Sequence, residues 1–321
     1  MSYDLSLEEL EEYTGTNPIP DDFYLFWKDR MRESEETPLR YVVRESEIQG
    51  YAMCDFYDLW FTGVRGERLY AKYVRPHGNE KVPIVLQFHG YPGSSRSWFE
   101  QASFAGMGYA VIAMDCPGQG GRSSDCGGYE GTTVSGHIIE GLDGEVKDLY
   151  YVRLYQNIAV LMRIVQELEG LDHNRIYVNG ASQGGGLACV CAALHPGIVK
   201  KAVLLYPFLS DFERVFDLKK DEIAYEGLRY YARWFDPMGE KRKEIFTKLG
   251  YIDVHNFASM IRSEVLFGCS LADEICPPST QFAVYNRLTC KKQKRYYYDY
   301  GHEEISVFDD QILNFLQEEL S

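Results

Sequence analysis

Positive charge is what this 321-residue sequence has least of. Its 33 lysines and arginines face 48 aspartates and glutamates, a formal net charge of -15. That balance argues against nucleic-acid backbones and anionic membrane surfaces as partners, since both would repel it. It names no substrate, because an acidic surface also serves solubility. Long apolar runs are missing too: none is long enough to span a membrane, and the opening Met1-Ser2-Tyr3-Asp4 lacks a basic-then-apolar signal region. A cytoplasmic protein is the expectation. The eight cysteines, at 54, 116, 126, 189, 191, 269, 276 and 290, form no C-x-x-C and no ladder of a disulfide framework or zinc site. They read as reduced thiols, several of them buried as small hydrophobes. The histidines at 77, 89, 137, 173, 195, 255 and 302 show no H-x-x-x-H or comparable ligand spacing. No metal site and no cofactor is expected. Internal repeats and low-complexity linkers are also absent.

What is present is core-forming material, 45% hydrophobic and 14% aromatic. Residues 1–50 read as an extension packed on the body, with a helix starting after an Asp22 cap and turning Phe23, Phe26 and Trp27 to one face. Strands are expected at Asp55 to Thr62 and Arg68 to Arg75, then at Val82 to Phe88 and Tyr109 to Met114, with a helix over Ser97 to Met107. Residues 117–147 are a glycine-dense loop. Leu154, Ile158, Leu161, Val165 and Leu168 recur at steps of three and four, which predicts a long helix. Further strands are expected at Arg175 to Val178, Ala202 to Tyr206, Glu264 to Cys269 and Lys294 to Tyr300. The closing helix carries Val307, Phe308, Ile312, Phe315 and Leu316. Strands alternating with helices imply a mostly parallel central sheet covered on both faces. Residues 209–262 break that rhythm: Phe216, Leu218, Ile223, Tyr225, Leu228, Tyr231 and Trp234 recur at helical intervals, predicting a helical insertion. One α/β domain over 1–321 accommodates all of this.

Chemistry enters at Gly180-Ala181-Ser182-Gln183-Gly184, a G-x-S-x-G between a strand and a helix of small residues. That context suits a nucleophile elbow, a sharp strained turn that exposes the serine hydroxyl. The pentapeptide alone is weak, being equally a glycine-rich turn. Its weight comes from the acid and the base that succeed it along the chain. The strand at 264–269 runs into Asp273, and the strand at 294–300 into His302. Carboxyl ends of parallel strands open on one edge of the sheet, so the three residues can converge there. Ser182, Asp273, His302 is the chain order of an α/β-hydrolase. His302 would take the serine proton, and Asp273 would fix and stabilise the imidazolium. The backbone N–H groups of Gln183 and Tyr91, the latter in the His89-Gly90-Tyr91 loop, would form the oxyanion hole. Other readings stay open residue by residue. Asp273 is also placed to cap the helix that Pro277-Pro278 begins, with Glu274 as the alternative acid, and His302 could be a solvated loop residue. His89 reads as structural, and His195 as a charged imidazole at a helix C-terminus.

The sequence resembles carbohydrate esterase family 7, the acetyl xylan esterase and cephalosporin C deacetylase group. The resemblance rests on Pro20-Asp21-Asp22-Phe23 with Phe26-Trp27, His89-Gly90-Tyr91-Pro92-Gly93, Gly118-Gln119-Gly120 and the Gly-x-Ser-Gln-Gly-Gly elbow. It extends through Tyr251-Ile252-Asp253 with Asn256-Phe257-Ala258, then Asp273 to Asn286 and Gly301-His302-Glu303. It implies an α/β-hydrolase that deacetylates small acetylated sugars, and often cephalosporin C, without a metal. It further implies a ring-shaped homohexamer whose active sites face an inner cavity, a triad at Ser182, Asp273 and His302, and an oxyanion loop at Tyr91. One departure stands out: the family's Arg-Gly-Gln-Gly is here Pro117-Gly118-Gln119-Gly120, which supplies no guanidinium but fixes φ. Alternatives outside the resemblance are a peptidase or lactone hydrolase on the same fold, and a hydrolase-fold scaffold without turnover.

Overall fold

Apolar strands that are buried on both faces set the plan of the molecule. The computed structural model describes residues 3–78, 80–130, 136–220 and 223–317. Met1, Ser2 and the Ile223 side chain, to which the sequence attaches expectations, lie outside the described residues. Among the described residues nine strands form one sheet: β1 (Tyr41–Glu45), β2 (Cys54–Thr62), β3 (Arg68–Pro76), β4 (Val82–Phe88), β5 (Ala110–Met114), β6 (Leu171–Ala181), β7 (Val199–Leu205), β8 (Glu264–Ser270) and β9 (Lys292–Tyr297). Their spatial order is β1-β2-β3-β5-β4-β6-β7-β8-β9. The β1-β2-β3-β5 pairings are antiparallel and every pairing from β5 onward is parallel. Every residue of β5 and β8 is buried, as parallel strands covered on both sides require, whereas β2 alternates buried and half-buried positions.

Eleven helices complete the described chain: α1 (Leu7–Glu12), α2 (Phe23–Glu36), α3 (Trp98–Gly106), α4 (Tyr150–Glu167), α5 (Gln183–Leu194), α6 (Phe212–Leu218), α7 (Glu226–Phe235), α8 (Arg242–Leu249), α9 (Val254–Phe257), α10 (Pro278–Arg287) and α11 (Ser306–Gln317). One sheet face packs against α4 and α5 through residues such as Leu86, Ile112, Val178, Ile158 and Leu187. The other packs against α3 and α11 through Val85, Val111, Val203, Phe104 and Phe308. The architecture is the expected α/β-hydrolase, mostly parallel with helices on both faces. The expected insertion is also helical: α6 to α9 and short 3-10 turns fill the described part of 209–262.

Several local expectations are corrected. Helix α2 does begin after Asp22, but that side chain caps nothing; its carboxylate accepts from the Tyr251 hydroxyl instead. Phe23 and Trp27 are buried against the Phe257 ring, and the Trp27 indole donates to the Tyr251 carbonyl at 2.8 Å. Val307 and Trp234 leave their apolar stripes for solvent, 48% and 62% exposed. Strand β9 ends at Tyr297, three residues short of the expected Tyr300, so a turn carries the chain on to His302. Strand β1 lies within the 1–50 extension, where no strand is expected, as an edge strand without a buried face.

One carboxylate holds the stretch of the extension from Tyr13 to Asn17. Asp211 accepts from the Tyr13 hydroxyl (2.6 Å) and from the Thr16 and Asn17 amides (3.0 and 2.8 Å). All eight cysteines are free; six are buried, Cys290 is partly so, and Cys126 is exposed. Among the described residues no helix is long and apolar enough to cross a membrane.

Candidate active site

Ser182 sits between β6 and α5 with φ 57° and ψ -125°, a conformation that a side-chain-bearing residue adopts only under strain. The surrounding packing enforces it. A β-carbon on Gly180 would lie 2.2 Å from the Gly184 carbonyl oxygen, and one on Gly184 would lie 2.1 Å from the Phe88 carbonyl oxygen. Strand, turn and helix are therefore closer than any other residue at these positions permits. The Ser182 amide donates to Leu205 (3.0 Å), and its carbonyl accepts from Phe208 (2.9 Å), tying the turn to the end of β7.

The hydroxyl meets the two expected partners. The Ser182 Oγ lies 2.9 Å from His302 Nε2, and His302 Nδ1 donates to Asp273 Oδ2 at 2.8 Å. Asp273 is fully buried, while the His302 side chain retains 23% exposure. The other Asp273 oxygen accepts from the Ile275 and Cys276 amides at 2.9 and 2.8 Å. One carboxylate thus folds its own loop and orients the imidazole. Glu274 points away, pairing with Lys220 at 2.8 Å with 64% of its side chain exposed, and has no place in the site.

The His89-Gly90-Tyr91 loop leaves the end of β4 beside the elbow, where a β-carbon on Gly90 would lie 3.8 Å from Ser182 Cβ. The Gln183 amide is the first of α5 and has no helical carbonyl to donate to. Among the described residues neither it nor the Tyr91 amide donates to a protein acceptor. His89 is structural: Nδ1 donates to Gly90 O (2.7 Å) and Nε2 accepts from the Cys116 amide (2.9 Å). Burial lowers its pKa, which suits this neutral tautomer. His195 differs from the charged cap expected of it; nearly complete burial at the end of α5 lowers its pKa and favours the neutral ring, which bonds the Cys191 carbonyl at 2.9 Å.

Several residues that shape the site carry no signal in the sequence on their own. Tyr206 packs its ring 4.8 Å from the His302 ring and donates to the Glu303 carbonyl at 2.8 Å, steadying the histidine loop. The Tyr91 hydroxyl bonds His137 Nδ1 at 3.0 Å, and burial lowers the pKa of that imidazole as well. The Gln183 side chain turns inward, where it meets Gln119 and the Tyr151 hydroxyl. Gly118-Gln119-Gly120 is visible in the sequence as a motif; its pairing with Gln183 is not. Burial, reinforced by the Asp273 charge, pushes the Cys276 thiol well above its ordinary pKa. Asp273, Cys276 and His302 present possible metal-ligand atoms within 4.8 Å of one another, but the carboxylate and imidazole are already committed to each other.

The loop after β5 braces the Tyr91 loop. Asp115 accepts from the Ser95 and Arg122 amides, both at 2.7 Å, and Gly93 bridges Gly120. At the departure from the family pattern, the Pro117 carbonyl accepts from the Tyr150 hydroxyl at 2.7 Å. This hydroxyl-to-carbonyl bond ties down Pro117 itself, where the family pattern has arginine.

A serine hydroxyl, an imidazole and a buried carboxylate in one hydrogen-bonded line, beside two amides without a protein acceptor among the described residues, form the arrangement that serine hydrolases use. A sequence model of the family described as Acetyl xylan esterase (AXE1) matches residues 1–319. The chain belongs to this acetyl xylan esterase family. A crystal structure of Acetyl Xylan Esterase 1 from Thermoanaerobacterium sp. JW/SL YS485 is 44% identical and superposes with a TM-score of 0.95 over 98% of each chain. An acetyl xylan esterase from Paenibacillus sp. R4 is 31% identical, with a TM-score of 0.93 over 98% of this chain and 99% of that one. Acetyl esterase Axe7A of Xylanibacter ruminicola is 28% identical over 300 residues, 90% of this chain. The chain spans 64% of the length of that relative.

Proposed function

We propose that the protein is a serine esterase that removes acetyl groups from small acetylated sugars, acetylated xylo-oligosaccharides in particular, with Ser182, His302 and Asp273 as its triad. The observation that carries the reading is the unbroken line from Ser182 Oγ through His302 to buried Asp273, at 2.9 and 2.8 Å. In the first half-reaction Ser182 Oγ attacks the acetyl carbonyl as His302 Nε2 takes its proton. The tetrahedral oxygen is held by the Tyr91 and Gln183 amides, and Asp273 stabilises the imidazolium. His302 then returns the proton to the departing sugar oxygen, leaving an acetyl-serine. Water, activated by the same imidazole, releases acetate in the second half-reaction.

Family membership supports the acetylated-sugar reading. The Tyr91 ring stacks 6.4 Å from the ring of buried Phe208, whose amide binds the Ser182 carbonyl. A cytoplasmic setting fits eight unpaired cysteines. A homohexamer fits the solvent-facing Trp234, Phe235 and Met238 of the insertion, 62%, 44% and 81% exposed.

The test is acetate release from acetylated xylo-oligosaccharides, cephalosporin C and a chromogenic acetate, set against butyrate esters, peptides and lactones. Acetyl esters should dominate, with propionyl esters next, because one methylene is worth only about 1–3 kcal/mol in a pocket. Butyrate turnover equal to acetate, or preferred cleavage of peptides or lactones, would refute the reading. Light scattering reads the assembly.

A further inference from the structure

We propose that residues 3–5 form a strap that positions the acid of the triad, with Tyr3 and Asp4 as its working groups. The Tyr3 hydroxyl donates to the backbone carbonyl of Asp273, 270 residues along the chain. The Asp4 carboxylate accepts from the Ser279 amide and from Arg214 Nη2, both at 2.8 Å. Arg214 in turn reaches Ser279 Oγ at 3.2 Å. The loop carrying Asp273 is therefore gripped at Asp273 itself by Tyr3 and just past its end, within α10, by Asp4. Lys220 closes the outer side, its ammonium 4.7 Å from the Tyr3 ring and 2.8 Å from Glu274.

Two features distinguish this from ordinary docking of a chain end. The Asp4 side chain has no exposure, so its charge is tolerated only because these donors meet it. The segment is also anchored independently, by Asp211 at Tyr13, Thr16 and Asn17 and by Asn286 at the Leu10 and Tyr13 carbonyls. Removing the Tyr3 and Asp4 contacts would leave the segment in place and free only the acid loop. From the inner side that loop is held by Gln281, which bonds both Ser270 and the Cys276 carbonyl. Strap and glutamine together fix the direction of the Asp273 carboxylate toward His302. Small misplacements of such a group cost rate steeply.

The consequence for rate rests on the esterase reading, whereas the geometry does not. The test compares Tyr3→Phe, Asp4→Ala, Asp4→Asn and Tyr3→Phe/Asp4→Ala with wild type, each with and without Asp273→Asn. Acetate release gives kcat and KM. The rate of Ser182 modification by a phosphonylating reagent is read in parallel. The double variant should lose roughly 10-fold in kcat, with KM changed less than twofold. Asp4→Asn should recover most of the Asp4→Ala loss, since an amide oxygen still accepts from Ser279. In the Asp273→Asn background the strap substitutions should cost nothing further. An unchanged kcat in the double variant, or an equal loss with and without Asp273, would overturn the proposal. Should wild type release no acetate while still being phosphonylated, the esterase reading fails alone, and slower labelling of the double variant still decides the strap.

Discussion

Gln119 and Gln183 clasp each other beneath the Ser182 turn through two reciprocal amide hydrogen bonds of 2.9 and 2.8 Å. Each is braced by a tyrosine, Gln119 by the Tyr150 hydroxyl at 3.0 Å and Gln183 by the Tyr151 hydroxyl at 2.9 Å. The loop after β5 and the residue after Ser182 are thereby tied together. Gln119→Leu would leave a buried amide short of partners, at a cost of about 1–3 kcal/mol. Urea unfolding should show that loss as a lower midpoint at unchanged slope. A wild-type midpoint would mean that water replaces the clasp.

The proposed triad separates Asp273 from its neighbour. Ser182→Ala should lower kcat by about 10⁴–10⁶ and Asp273→Asn by about 10⁴. Glu274→Gln should stay within twofold of wild type, because that side chain faces Lys220 in solvent. Steady-state kinetics on an acetate ester decide it. A large Glu274 effect with a small Asp273 effect would reverse the assignment.

Tyr91 contributes an amide and a hydroxyl that can be tested apart. Tyr91→Pro removes the N–H and should cost about 10²–10³ in kcat. Tyr91→Phe keeps the amide but breaks the 3.0 Å bond to His137, so a milder loss is expected. Equal losses from the two would show that loop placement, not the donor, dominates.

Stability should depend on pH through Glu140. Burial, reinforced by the Asp125 charge and opposed by Arg153, pushes its carboxyl from 4.5 up to about 7. The folded chain therefore binds a proton more tightly than the unfolded chain. Stability is lost as pH rises between those two values. Glu140→Gln removes the charged form. The variant should be more stable than wild type at pH 8 by about 1 kcal/mol, a figure reduced for partial solvent exposure. At pH 4 the difference should vanish. Urea titrations at the two pH values test the sign.

The parts of this molecule that are legible in the sequence are those whose chemistry and periodicity coincide. Strands β4 and β8 are apolar runs and β6 contains a short alternating stretch; they lead into a loop motif, the Ser182 turn and Asp273, so their order carries both the fold and the proposed triad. Strand β1 escapes because an edge strand with mostly exposed residues has no alternation to read. His137 and Tyr206 escape for another reason. Each acts on a residue distant in the chain, through a contact made only after the sheet has formed. The strap is the extreme case, since nothing in Tyr3-Asp4 announces a partner at 273. Asp273 reads in the sequence as a helix cap or an acid, yet it serves the loop with one oxygen and the histidine with the other.

Six of the eight thiols are sealed in the interior and Cys290 is half covered, which leaves Cys126 as the exposed thiol. It lies on the glycine-dense loop, with Sγ 3.7 Å from the Arg65 carbonyl. A maleimide dye should couple there selectively in the native protein without any cysteine being engineered away. Such a probe would report the surroundings of this loop in the free and the substrate-bound protein as a fluorescence signal.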